Sequence, residues 1–206
     1  MNRAELKNDA KKKMEGNWKS WIYILLILFG IGLVVGIICA PISMNLSEDF
    51  KELPSSIITA VLNCLFGFGI LSFFFKIAKG AKVEYSELYS KWKMGLKYFV
   101  MTLIIGIIVG VASVFLIIPG IILALGLSQV SLIILESPET GIFDAISKSW
   151  NMMKGHKWEY FVLELSFIGW AILCAIPCCL GYIWLVPYYQ TTMCNYYLAL
   201  KKEKKA

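Results

Sequence analysis

One carboxylic acid stands well inside an uncharged apolar run: Glu164, about one and a half helical turns beyond Glu159. A charge there is costly, up to about 3 kcal/mol at the centre of a bilayer and less near its surface. A partner, a proton or a binding role has to account for it. If the last two apolar runs pair as an antiparallel hairpin, Asn195 lies five residues from Leu200 as Glu164 lies five from Glu159, and the two reach equal depth. The same count places Thr102, Gln129, Ser131 and Ser166 in the inner half of a helical bundle. Convergence of these residues would make a polar pocket open to the cytoplasm. The competing reading is that Glu164 snorkels to the interface and the others hydrogen-bond neighbouring helices. Pro187 is a candidate kink: it removes one helical hydrogen bond and frees a carbonyl one turn earlier. Tyr188, Tyr189, Gln190, Thr191 and Thr192 follow it directly, as in helices that line cavities, though a static kink is the simpler reading.

Catalytic and metal signals are absent from the sequence. His156 is the only histidine, and no nucleophile is placed with it by spacing. There is no HExxH, nucleophile elbow or phosphate loop. Cys174, Cys178 and Cys179 cluster without a histidine or carboxylate beside them, so they and Cys39, Cys64 and Cys194 read as small buried packing residues. No cofactor, no metal and no enzymatic activity are expected.

The elements that would position these residues follow from the charge pattern. The chain has 206 residues, is 58% hydrophobic and only 17% charged, too little polar surface for a water-soluble globule. Nineteen of its twenty Lys and Arg residues fall in four clusters, around 3–19, 76–97, 148–157 and 201–205; Lys51 stands alone. Cytoplasmic loops of membrane proteins collect such residues, so the clusters orient an even number of spans with both termini inside. The net charge of +6 then meets anionic lipid headgroups rather than nucleic acid, because the basic residues flank apolar runs and form no domain of their own. No cleavable signal peptide is expected, since the first apolar run is long enough to span.

The pattern predicts an all-α polytopic fold, a single integral-membrane domain over 1–206 with six transmembrane helices in three hairpins. The spans are about 21–40, 57–77, 98–118, 120–136, 160–180 and 182–200. The uncharged run from Tyr98 to Glu136 would reach about 58 Å as one helix, nearly twice the bilayer core, so it turns back at Pro119 and Gly120. A turn near Gly181 divides the last hairpin. Interfacial helices are expected on the inner side at about 3–15, 84–94 and 138–154, the third starting with Ser137 as cap and Pro138 in the first turn. Gly16, Gly95 and Gly155 close these segments ahead of a basic and aromatic entry into the membrane, a unit used three times. Gly32 and Gly36, with Gly106 and Gly110, form GxxxG pairs that serve helix packing, inside the bundle or between two copies.

Gly141, Ala145, Ser149, Trp150, Met153, Lys154 and Gly155, followed by Phe161, Leu165, Ser166, Phe167, Ile168, Gly169 and Trp170, resemble a bacterial integral-membrane family catalogued as domain of unknown function 975. Arg3, Leu6, Lys7 and Ala10 at the start, with Trp184, Pro187, Tyr188 and Thr191 near the end, extend the resemblance over nearly the whole chain. It implies a multi-pass protein of the bacterial cytoplasmic membrane and carries over no catalytic residue. Glu164 departs from the apolar or small polar residue typical of related families at that place. The expected role is a non-enzymatic accessory or scaffold component, with a membrane-protein partner or a second copy as its associate. The alternative is a small transporter or lipid-handling protein using the polar pocket.

Overall fold

The computed structural model describes residues 3–45, 47, 51–175 and 181–204, and it contains no strand among them. The first helix, α1 (Arg3–Met14), buries only Ala10 and Met14. A sparse apolar face on a basic helix suits the surface of a bundle rather than its interior. The long helix α2 (Trp18–Met44) antiparallels α3 (Leu53–Ala78), which carries Pro54 in its first turn, where the missing N–H costs nothing. A 43° bend separates Leu53–Leu62 from Phe66–Ala78 within α3. The C-terminal part of α3 supplies the centre of the core, with Phe68, Phe73, Phe74 and Ile77 buried beside Trp21, Leu88, Met101 and Ile134.

The segment expected as one interfacial helix over 84–94 is instead a short α4 (Glu87–Ser90) and a 3-10 turn, Trp92–Met94. Glu87 explains the shortening: it is drawn inward, where the Ser72 hydroxyl and the Lys76 ammonium both donate to its carboxylate at 2.6 Å. Next, α5 (Gly95–Phe115) and α6 (Ile117–Leu127) form a tight hairpin whose break falls at Leu116, in extended conformation, rather than at Pro119. Pro119 sits in the first turn of α6, where proline is tolerated. Gly120 lets the two helices touch, since a Cβ there would lie 2.2 Å from Ser113 Oγ.

After α7 (Val130–Glu136), the amphipathic α8 (Ile142–Met152) begins four residues later than the expected start at Pro138. Lys97 causes the delay: its ammonium takes the carbonyls of Pro138 and Thr140, which holds 137–140 as a turn. Gly141 in extended conformation precedes the helix instead of the Ser137 cap. Of the three glycines expected to close surface segments, Gly155 has the positive φ of a helix-ending residue (+86°). Gly95 is the first residue of α5, and the other left-handed glycine is Gly80, just beyond α3. The last two helices, α9 (Lys157–Ala175) and α10 (Tyr182–Glu203), lie antiparallel, with Tyr160 against Tyr196 and Phe167 against Tyr189. Their connection, with Cys178 and Cys179, lies outside the described residues, as do Glu48 and Asp49.

Among the described residues, four segments are long and apolar enough to cross a membrane: Trp18–Met44, Gly95–Val114, Ile117–Glu136 and Lys157–Ala175. The bent α3 is a fifth if it acts as one span. The sixth expected span, α10, is not among them. Its tyrosines, threonines and asparagine are too polar for lipid, and they are accommodated because α1, α3 and α9 surround the helix. Thr191, Thr192, Asn195, Tyr196 and Tyr197 are all buried. Leu26, Phe29, Leu33 and Ile37 on α2, and Leu103, Ile107 and Val111 on α5, face outward. That apolar exterior is what a membrane-embedded protein presents to acyl chains.

Candidate functional site

The polar residues singled out in the sequence fall into separate groups, each holding helices together. Ser166 accepts a hydrogen bond from the Lys7 ammonium at 2.7 Å, and that ammonium also lies 4.3 Å from the Phe167 ring centroid. Burial of Lys7 against α9 pushes its pKa down from the usual lysine value, and the positive charge of Arg3 adds to the effect. Asn195 accepts from Lys13 at 3.2 Å, while its own amide donates to the Leu6 carbonyl. Lys13 also donates to the Ala78 carbonyl and pairs with Asp9, both at 2.6 Å. Ser166 and Asn195 therefore both serve to fasten α1 across α9 and α10.

Gln129 belongs to another joint. At the break between α6 and α7 it donates through Nε2 to Ser128 at 2.8 Å, and its backbone N–H donates to Ser149 Oγ. The Ser149 hydroxyl in turn donates to the Gly126 carbonyl, which fixes α8 on α6. Thr102 is exposed on α5 and spends its hydroxyl on the carbonyls of Tyr98 and Phe99 in its own helix. Ser131 is half-buried on α7. Glu164 is also half-buried, and the Tyr189 hydroxyl reaches its carboxylate at 3.5 Å with the Tyr160 phenol close by. The expected single pocket is thus dispersed. A cleft of about 420 Å³ does open beside Asn195, but it is lined by Asp9, Lys13, Lys79 and Lys202 and not by Glu164.

Pro187 does what a helix-interior proline dictates, and the consequence is specific. Lacking an N–H, it leaves the Ile183 carbonyl without its i+4 donor. The indole N–H of Trp21 donates to that carbonyl at 2.9 Å, joining the start of α2 to α10. The helix continues through the proline from Tyr182 to Glu203. Pro187 therefore marks an interhelical contact as well as a candidate kink.

The GxxxG glycines face outward. A Cβ at Gly32, Gly36, Gly106 or Gly110 would meet nothing within 4 Å. Close backbone approach occurs elsewhere: a Cβ at Gly69 would lie 2.0 Å from the Leu88 carbonyl oxygen, one at Gly67 2.2 Å from the Tyr98 ring, and one at Gly126 2.4 Å from Trp150. The signal for these was present, since glycine inside a helix costs about 1 kcal/mol relative to alanine and calls for a packing reason.

A further group was not anticipated from sequence. Glu136 accepts from the Tyr197 hydroxyl at 2.8 Å and the Lys201 ammonium at 2.6 Å, and pairs with Lys79 at 3.4 Å. It ties together the C-terminal ends of α3, α7 and α10. An acid closing an apolar run amid basic clusters is the cue that points to it. The single histidine, His156, faces two carboxylates, Glu159 at 3.4 Å and Glu203 at 3.6 Å. Among the described residues no three His, Cys, Asp or Glu side chains converge as metal ligands would.

A family model described as protein of unknown function (DUF975) matches the chain over residues 1–124 and again over 107–204. No curated protein matches it, and no solved structure does.

Proposed function

The chain belongs to the DUF975 family, and we propose that it is a non-enzymatic scaffold or accessory component of the bacterial cytoplasmic membrane, associating with another membrane protein or a second copy of itself. The observation that carries this reading is the placement of its small residues. Gly32 and Gly36 on α2, and Gly106 and Gly110 on α5, are exposed, and a Cβ on any of them would meet no other side chain or helix within 4 Å. Within lipid, apolar surface alone gives no drive to associate, so faces that allow close backbone approach are where a further helix can dock. The polar residues of the interior support the same reading, since they fasten α1, α8 and α10 in place.

In this reading α3 crosses as one bent span and α10 accompanies α9 as a sixth, giving three hairpins with both termini inside. The basic clusters meet anionic headgroups at the inner face, at roughly 1 kcal/mol per Lys near the surface. The test is proximity crosslinking in intact membranes from cysteines placed at residues 33 and 107, beside the exposed glycines. A discrete crosslinked species that disappears when Gly32 and Gly36, or Gly106 and Gly110, are changed to Leu supports the scaffold role. Crosslinking to nothing but lipid from both helices removes it.

A further inference from the structure

A groove of about 350 Å³ runs between α9 and α10, walled by Phe167, Ala171, Tyr182, Leu185 and Tyr189. That volume lies within the ~300–1,000 Å³ range of small-molecule sites. Its sides are apolar and aromatic, it opens outward past the exposed Ile168, and among the described residues the one carboxylic acid lining it is Glu164. Seven residues beyond Lys157, the carboxyl stands about 10 Å along the helix from the basic entry. The Tyr189 hydroxyl reaches it at 3.5 Å with the Tyr160 phenol close by, and among the described residues no basic side chain forms an ion pair with it. The Lys7 ammonium is engaged with Ser166 instead.

We propose that this groove binds an alkylammonium ion, its head on the Glu164 carboxylate and its chain along Phe167, Ala171 and Leu185. The chemistry selects that class. An acid in an apolar slot recognises a positive head bearing an apolar tail, and the electron-rich faces of tyrosine and phenylalanine favour a cation over a neutral head. Among the described residues no basic side chain lines the groove to receive a phosphate, which argues for a free amine over a zwitterionic lipid headgroup. The site does not depend on the scaffold role, because it uses neither of the exposed glycine faces.

The test uses the full chain in phosphatidylcholine nanodiscs and a dodecylammonium probe carrying a photoreactive diazirine, with labelled peptides mapped by mass spectrometry. The expected result is saturable labelling within residues 164–189, competed by excess dodecylammonium and not by dodecanol or lysophosphatidylethanolamine. Glu164→Gln should weaken half-saturation at least roughly tenfold, the loss of a hydrogen-bonded charge pair. Ala171→Phe, which keeps the carboxylate and fills the groove, should abolish labelling. Competition by the alcohol equal to that by the ammonium, preference for the lysolipid, or unchanged labelling in Glu164→Gln overturns the site.

Discussion

Replacing Trp21 with Phe keeps an aromatic ring against Phe73 and Phe74 but removes the indole N–H that reaches the Ile183 carbonyl. Two costs separate cleanly. The carbonyl left without a donor costs about 1–2 kcal/mol, and the smaller ring forfeits roughly 1 kcal/mol of apolar burial. Pro187 makes the first cost avoidable. In Pro187→Ala the alanine N–H supplies the missing i→i−4 bond to Ile183, so Trp21→Phe in that background loses only the burial. The double-mutant cycle should therefore show a coupling of about 1–2 kcal/mol, with Trp21→Phe milder in the alanine background. Unfolding of the purified protein by sodium dodecyl sulfate in mixed micelles, followed by circular dichroism, measures all four corners. In a thermal scan each kcal/mol corresponds to about 2–4 °C for a chain of this size. Additivity within about 0.5 kcal/mol would refute the claim that Trp21 serves the carbonyl Pro187 leaves open.

Three further outcomes follow from the packing. Gly69→Ala drives a Cβ into the Leu88 carbonyl oxygen and should destabilise by about 1–3 kcal/mol or more, whereas Gly36→Ala should leave the same unfolding midpoint unchanged or raised by up to about 1 kcal/mol. Glu136→Gln, scored in the same unfolding assay, should cost about 1–3 kcal/mol, because Lys79, Lys201 and Tyr197 lose a charged acceptor; Lys79→Ala alone should cost under about 1 kcal/mol, since that pair is long and half-exposed. Thr191 Oγ1 is buried without a hydrogen-bond partner, so Thr191→Val should be neutral or stabilising by up to about 1 kcal/mol, as a denaturation midpoint would show.

Elements governed by local chemistry could be read directly from the sequence. A basic, sparsely apolar segment before Trp18 had to be a surface helix, and an uncharged run from Tyr98 to Glu136 had to fold back on itself. The interfacial helix expected at about 138–154 is α8, though its start depends on Lys97, some forty residues away, capturing two carbonyls. What the sequence withheld were pairings across long separations. Glu87 lies in the expected interfacial segment at 84–94, yet Ser72 and Lys76 draw it inward from fifteen and eleven residues away. Equal depth brought Glu164 and Asn195 to mind as neighbours, but depth along two helices does not fix which faces meet, and Asn195 turned to α1. The glycines invert for a related reason. GxxxG spacing indicates where a helix can be approached, and only the packed fold tells which approaches the chain itself uses. The polar α10 has the length of a span, and its threonines and asparagine are supported by surrounding protein.

The scaffold reading is tested most directly by native mass spectrometry of the protein taken from its own membrane in lipid-preserving particles. The chain alone is 23.3 kDa. The account predicts a discrete assembly heavier by the mass of a second copy or of one defined membrane protein, reduced to the single chain when Gly32 and Gly36, or Gly106 and Gly110, are replaced by Leu. A protein recovered only as the single chain with bound lipid, before any substitution, would contradict it.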